Sequence, residues 1–249
     1  MFKPIWEQHH LDERPWCLWN CDETIFQASR ANGMVYVRAS SKNAYDRQAT
    51  NTKAGFTVLF CANAAGQYLE PFIIYRAKGL RLSWMTDGVD NATYSFSDSG
   101  WMMDINFEQW FEKVFIPATQ RRAPGVTHVL VFDGHNSHIS YNTCLLAVNN
   151  NIILVCLPPN TSHALQPLDV AVFKSVKAMY SKIVLKWYEQ TNQKGVDKEN
   201  FPILLKILWD QLESQWIISG FRKTGLHPLN QTAVYDKVVH DPRDASLQF

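Results

Sequence analysis

The pattern of apolar and polar positions opens on strand-like runs and turns helical at Asp104. Cys17–Asp22 is a short apolar-rich segment closing on polar residues, which places Asp22 at the end of a first strand. Met34–Arg38 alternates in the same manner. Phe56–Ala62 and Tyr68–Tyr75 flank a turn at Gly66 and predict a hairpin, so the early strands are expected to be antiparallel. From Arg76 to Gly100, Gly, Ser, Asp and Asn are scattered without a period, and the segment is read as a long irregular excursion. Beyond it Phe107, Trp110, Phe111, Val114 and Phe115 repeat at helical spacing, with Asp104 as the expected N-cap.

The second half reads differently. His128–Phe132 is a buried-type strand ended by Asp133-Gly134, Tyr141–Val148 is helical, and Ile152–Leu157 is another strand. A strand, helix and strand in succession imply a parallel pair. Asp169–Gln190 follows on a helical period, and a further helix is expected from about Phe201 to Ile218. This order predicts an α/β fold: a ribonuclease H-like mixed sheet flanked by helices, with a C-terminal helical extension. The expected divisions are a lead-in at 1–16, the sheet domain at 17–190, and an extension and tail at 191–249.

Composition narrows the class. The longest strong apolar run, Ile152–Leu157, is far below the roughly 20 residues that span a bilayer. Met1–Arg14 carries Glu7, Asp12 and Glu13 and does not read as a secretory signal. Five cysteines without a C-x-x-C pair argue against a disulfide framework or a zinc ribbon, and reduced thiols are expected. Net charge is only +1, without the basic excess of an autonomous nucleic-acid binder. Two local clusters stand out, Arg30, Arg38, Lys42, Arg47 and Lys53 in one, and Lys174, Lys177, Lys182 and Lys186 in the other. Either could touch phosphates, and either could be a solvated face.

Candidate chemistry rests on three aspartates. Asp22 closes the first strand, Asp133 closes a strand able to pair with it in parallel, and Asp169 opens the helix after the last strand, so all three can converge on one sheet edge. Each alone has a structural explanation: a strand-end turn residue, a turn former before Gly134, and a helix N-cap. Carboxylates gathered together raise one another's pKa and call for a cation. Oxygen-only ligation favours Mg²⁺ or Mn²⁺, and two such ions about 4 Å apart serve in-line displacement at phosphorus. Glu23 points to the other face of its strand and is placed outside such a shell.

The motifs around these residues are more specific. Trp19–Thr24 (WNCDET), Val129–His138 (VLVFDGHNSH), Leu157–Lys177 (LPPNTSHALQPLDVAVFKSVK) and Ser219–Asn230 (SGFRKTGLHPLN) resemble, in order, the DDE endonuclease domain of pogo and Tigger transposases. Centromere protein B and the jerky-type proteins are domesticated members of the same broad family. The resemblance implies Asp22, Asp133 and Asp169 as the catalytic and metal-holding triad, with Asp in the third place as in pogo-type enzymes. It further implies cleavage of a DNA strand at a transposon end, followed by attack of the freed 3′-hydroxyl on target DNA. His138 is a candidate accessory group; a loop-stabilising hydrogen bond is its alternative. His163 and Gln166 are read as turn-forming or buried. Pro158, Pro159 and Pro167 stiffen the loop that positions Asp169.

The implied partners are transposon-end and target DNA, within a homodimeric DNA complex, and the implied location is the nucleus; no membrane is involved. The family's helix-turn-helix DNA-binding domains precede the catalytic domain, and none is expected in this chain. Two readings stand beside the transposase core. One is a domesticated module that has lost catalysis and acts through DNA or protein contacts in the nucleus; the other is a nuclease of the same fold acting on a different nucleic acid.

Overall fold

The computed structural model describes residues 2–28, 55–134, 139–191 and 195–234. The strand expected at Met34–Arg38 and the basic cluster from Arg30 to Lys53 lie outside the described residues. A short helix α1 (Phe2–Gln8) leads into the central strand β1 (Leu18–Gln27). Strands β2 (Gly55–Asn63), β3 (Phe72–Arg76), β4 (Thr93–Ser97), β5 (His128–Phe132) and β6 (Ile152–Cys156) complete one six-stranded sheet in the order β4-β3-β2-β1-β5-β6. The pairs β1/β2 and β2/β3 are antiparallel, whereas β1/β5, β5/β6 and β3/β4 are parallel. The expected mixed sheet and its parallel β5/β6 pair are both present.

Side-chain alternation gives the sheet two buried faces. On one, Leu18, Phe26, Val58, Phe60, Val129, Val131 and Val155 pack against α6 (Phe173–Gln190), α7 (Phe201–Trp209) and α8 (Ser214–Lys223). On the other, Trp19, Cys21, Leu59, Cys61, Leu130 and Phe132 meet α2 (Asp104–Trp110), a wide π-type segment at Phe111–Phe115, and α3 (Ile116–Arg122). The sheet is therefore the middle layer of three. Helix α4 (Tyr141–Asn149) makes the β5-to-β6 crossover, and the one-turn helix α5 (Ser162–Leu165) lies in the loop after β6.

Several expectations need correction. Asp22 does not close its strand: β1 continues to Gln27, with Asp22 opposite Phe60 and Phe26 opposite Phe56. A polar residue inside a central strand is tolerated where its neighbours supply hydrogen bonds, so Asn20 and Asp22 are not terminators. The 76–100 excursion holds β4, whose serines look loop-like but are bonded: Asn106 Nδ2 donates to Ser95 Oγ at 2.8 Å, and Ser97 Oγ donates to the Trp101 carbonyl at 2.8 Å. β3 begins at Phe72 rather than Tyr68, because Pro71 has no N–H to offer a ladder. The N-cap of α2 is Met103, whose N–H donates to Asn106 Oδ1 at 3.2 Å; Asp104 is the first helical residue. The helix expected at 201–218 is two, α7 and α8. Tight i→i−3 bonds from Gln211 to Leu208 and from Leu212 to Trp209 end the first.

Candidate active site

Strand parity decides where Asp22 points. Leu18 and Phe26 of β1 bury into the layer of α6, α7 and α8, so Asn20, Asp22 and Thr24 face that layer, while Trp19 and Cys21 face the opposite one. Glu23 has the parity of Cys21, as expected. Asp133 follows Phe132 at the end of β5, with the parity of Val129 and Val131, and therefore emerges on the same face as Asp22. The parallel register Asn20↔Val131 sets the two aspartates level.

Asp169 comes to that face from a different direction. It lies in a wide helical turn, Leu168–Val172, closed by the Phe173 N–H bonding back to the Leu168 carbonyl, and this turn leads straight into α6. Wide turns of this type inside helices are frequent at functional sites. The turn is held to β1 by two buried amides. Asn20 Nδ2 donates to the Val131 carbonyl at 2.9 Å and to Gln166 Oε1 at 2.8 Å, and Asn20 Oδ1 accepts from the Leu168 N–H at 3.1 Å. Gln166 Nε2 donates to the Cys21 carbonyl at 3.1 Å. Behind the turn stands Gly220 of α8, where a Cβ would lie 2.5 Å from the Pro167 carbonyl oxygen.

The aspartates form a gradient of exposure, with Asp22 buried, Asp133 half-buried and Asp169 exposed, so the cluster opens to solvent on the Asp169 side. Burial pushes the Asp22 carboxyl well above the ordinary carboxylate range, and the charges of Asp169, Glu23 and Asp133 push it further. The Glu23 N–H, donating to Asp22 Oδ1 at 2.8 Å, offsets part of this. Asp169 is raised by partial desolvation and by Asp133, against the pull of the Lys177 ammonium. Thus the three carboxylates are close enough to sense one another's charge.

This donor set fits a hard divalent cation: it is all oxygen, excess in negative charge, and stabilised by the charge it lacks. Among the described residues, no three His, Cys, Asp or Glu side chains are gathered tightly enough to constitute a ready metal-binding group. His138 lies outside the described residues. His163 is exposed and Gln166 is fully buried.

The sequence reading passed over Asn20 and Gly220, and gave Gln166 a buried place without a partner. A signal for Asn20 was present: in an otherwise apolar strand it takes an inward position, and a buried amide must find partners. Gly220 carried none, because its need for a missing Cβ arises from a backbone 53 residues earlier in the chain.

Comparisons with known proteins bear on the fold and the family. A protein of Cochliobolus lunatus named MFS-type transporter clz9 is 28% identical over 223 residues, covering 89% of this chain and 24% of that protein. In the present chain no helix among the described residues is long and apolar enough to cross a membrane. The mouse protein Pogo transposable element with KRAB domain (Mus musculus) is 25% identical over 212 residues, covering 82% of this chain and 34% of that protein. The chain thus spans about a quarter to a third of the length of these relatives. Among solved structures, the Mos1 mariner paired end complex with Mn superposes with a TM-score of 0.59 at 11% identity, covering 94% of this chain and 59% of that one. At that identity the likeness establishes the fold, which is ribonuclease H-like. A family model described as DDE superfamily endonuclease matches residues 53–221, a stretch that contains Asp133 and Asp169 and begins after Asp22. With most of its length matched by that model, the chain belongs to the DDE superfamily endonuclease family, and it is similar in sequence to a pogo transposable element protein.

Proposed function

We propose that this chain is the metal-dependent DNA endonuclease and strand-transferase core of a pogo/Tigger-like transposase, working in the nucleus as a homodimer on transposon ends. The observation that carries the reading is the placement of Asp22, Asp133 and Asp169 on one sheet face, each close enough to disturb another's ionisation. Asp22, Asp133 and Asp169 would hold Mg²⁺ or Mn²⁺, in keeping with the Mos1 mariner complex solved with Mn. When bound, the cations supply positive charge at phosphorus and activation of the attacking oxygen for in-line displacement.

The chain's own residues do the rest. Asp22, anchored mid-strand and bonded to the Glu23 N–H, is the fixed ligand. Asp133 stands level with it on the adjacent parallel strand, and Asp169 closes the solvent side. Lys177, whose charge acts on Asp169 from the next turns of the same helix, is placed to meet a phosphate as substrate arrives. In hydrolysis a water oxygen bonds to phosphorus, the P–O3′ bond breaks, and the departing 3′-oxygen takes a proton. The freed hydroxyl repeats the exchange on target DNA.

The test is Mn²⁺ titration followed by electron paramagnetic resonance on wild type, Asp22→Asn and Asp133→Asn, with duplex DNA present. Binding by wild type that either variant loses supports the reading, and cleavage of supplied DNA ends then follows. Equal, poor binding by all three overturns it. That result would favour a domesticated module that binds DNA or protein without catalysis.

A further inference from the structure

We infer that Asn20 and Gln166, backed by Gly220, form a positioning device that sets Asp169 against Asp22 and Asp133. The inference rests on the proposed reading of the three aspartates as one site, and extends it to residues that touch neither metal nor substrate.

The bonding pattern is the argument. Asn20 precedes Asp22 by two residues on the same strand face, and its two N–H donors reach the Val131 carbonyl, two residues before Asp133, and Gln166, three residues before Asp169. Its oxygen accepts from the Leu168 N–H, immediately before Asp169. Gln166 returns a bond to the Cys21 carbonyl, immediately before Asp22. One pair of side chains is therefore bonded to backbone next to, or two residues from, every member of the triad. Both are fully buried, at 0% exposure, so water cannot substitute for either.

The residue types suit the task. An amide both donates and accepts, and it adds no charge to a cluster already crowded with carboxylates; it also holds its bonds at any pH. A carboxylate at position 166 would face the Cys21 carbonyl oxygen with nothing to donate. Gly220 completes the device from behind. The α8 backbone abuts Pro167 where a Cβ would have to stand 2.5 Å from its carbonyl oxygen and 3.1 Å from its carbonyl carbon. The turn bearing Asp169 is thus pinned between β1 and α8. This gives the Ser219–Asn230 motif, remote from all three aspartates in sequence, a role at the site.

The experiment measures Mn²⁺ affinity by paramagnetic resonance titration with duplex DNA, in wild type and in Gln166→Met, which keeps the side-chain length and removes the bonds. Val176→Ala, a core truncation in α6, serves as the control for general destabilisation. Gln166→Met is expected to weaken Mn²⁺ binding by about 10- to 100-fold, the range found when groups supporting metal ligands are removed. Val176→Ala is expected to keep wild-type affinity while losing thermal stability. Should Gln166→Met fail to fold, Gln166→Asn, which retains the amide but shortens its reach, carries the same expectation at smaller size. Gly220→Ala, which presses on Pro167 from the other side, is expected to weaken binding likewise. Wild-type affinity in folded Gln166 variants, with binding still lost in Asp133→Asn, overturns the positioning role and leaves the carboxylate site standing. Equal weakening in Val176→Ala reduces the effect to stability and also overturns it. Absence of Mn²⁺ binding by wild type overturns the carboxylate reading, and the positioning role falls with it.

Discussion

Burying a carboxylate as deeply as Asp22 opposes folding unless something neutralises it. Its folded-state pKa is raised by burial and by its acidic neighbours, so its contribution to stability is full at pH below the unfolded carboxylate value and is lost as pH rises through the folded one. At neutral pH without metal, Asp22→Asn is therefore expected to raise the melting temperature by a few degrees; for a chain of this size about 2–4 °C corresponds to each kcal/mol. Added Mn²⁺ should raise the wild-type melting temperature and leave that of the variant unmoved, since a ligand stabilises only the state that binds it. Differential scanning fluorimetry with and without metal checks both. His128 works in the opposite sense. It is buried beneath Trp19, whose Nε1 donates to its Nδ1 at 3.1 Å, and desolvation foremost lowers its pKa to about 4. Below an unfolded value of 6.5 the unfolded chain binds the proton first, so stability falls as pH drops from 6.5 towards 4, by up to about 3 kcal/mol. The melting temperature of His128→Gln should fall less steeply across that window than that of wild type.

At the scale of elements, polar side chains do the joining where apolar periodicity is weak. β4 is a short edge strand with serines at buried positions, and α2 starts beside it with Asn106 bonded to Ser95, to the Phe96 carbonyl and to the Met103 N–H. Asn106→Leu removes a cap and the amide donor to Ser95 Oγ and the Phe96 carbonyl, and should cost about 2 kcal/mol in urea denaturation, with the slope of the transition unchanged. Such a strand is hard to read in sequence because its stability comes from side chains of another element. α6 is the contrary case: Val172, Val176 and Tyr180 repeat at helical spacing and do bury against the sheet, so its course is legible from Asp169 to Gln190.

Across the whole molecule, the C-terminal helices and the sheet share one apolar layer. Phe201 of α7 stacks on Phe56 of β2 with ring centroids 4.2 Å apart and lies within 6.0 Å of the Phe26 ring and 6.4 Å of that of Tyr75. Phe201→Ala is expected to cost about 3–5 kcal/mol. Fluorescence and circular dichroism should report a single coincident unfolding transition for wild type and variant alike; two separated transitions would mean that the segment after residue 190 unfolds independently of the sheet.

By itself the sequence determined the class of most elements and singled out the three aspartates as candidates. Periodicity is a local property, and the motifs around Asp22, Asp133 and Asp169 are continuous stretches that can be matched without a structure. It also implied the parallel β5/β6 pair, through the strand–helix–strand order around Tyr141–Asn149. The tertiary structure decided what depends on contacts between distant segments. Cross-strand pairing with Phe56–Phe60 carries β1 past Asp22 to Gln27, although the local pattern ends it at the aspartate. Asn20 and Gln166, 146 residues apart, bond to each other because the fold buries both amides side by side, where each polar atom must find a protein partner. Gly220 is required by the backbone of Pro167 and by nothing in its own neighbourhood. Local chemistry singled out the candidate carboxylates; long-range hydrogen bonding and steric fit set where they stand.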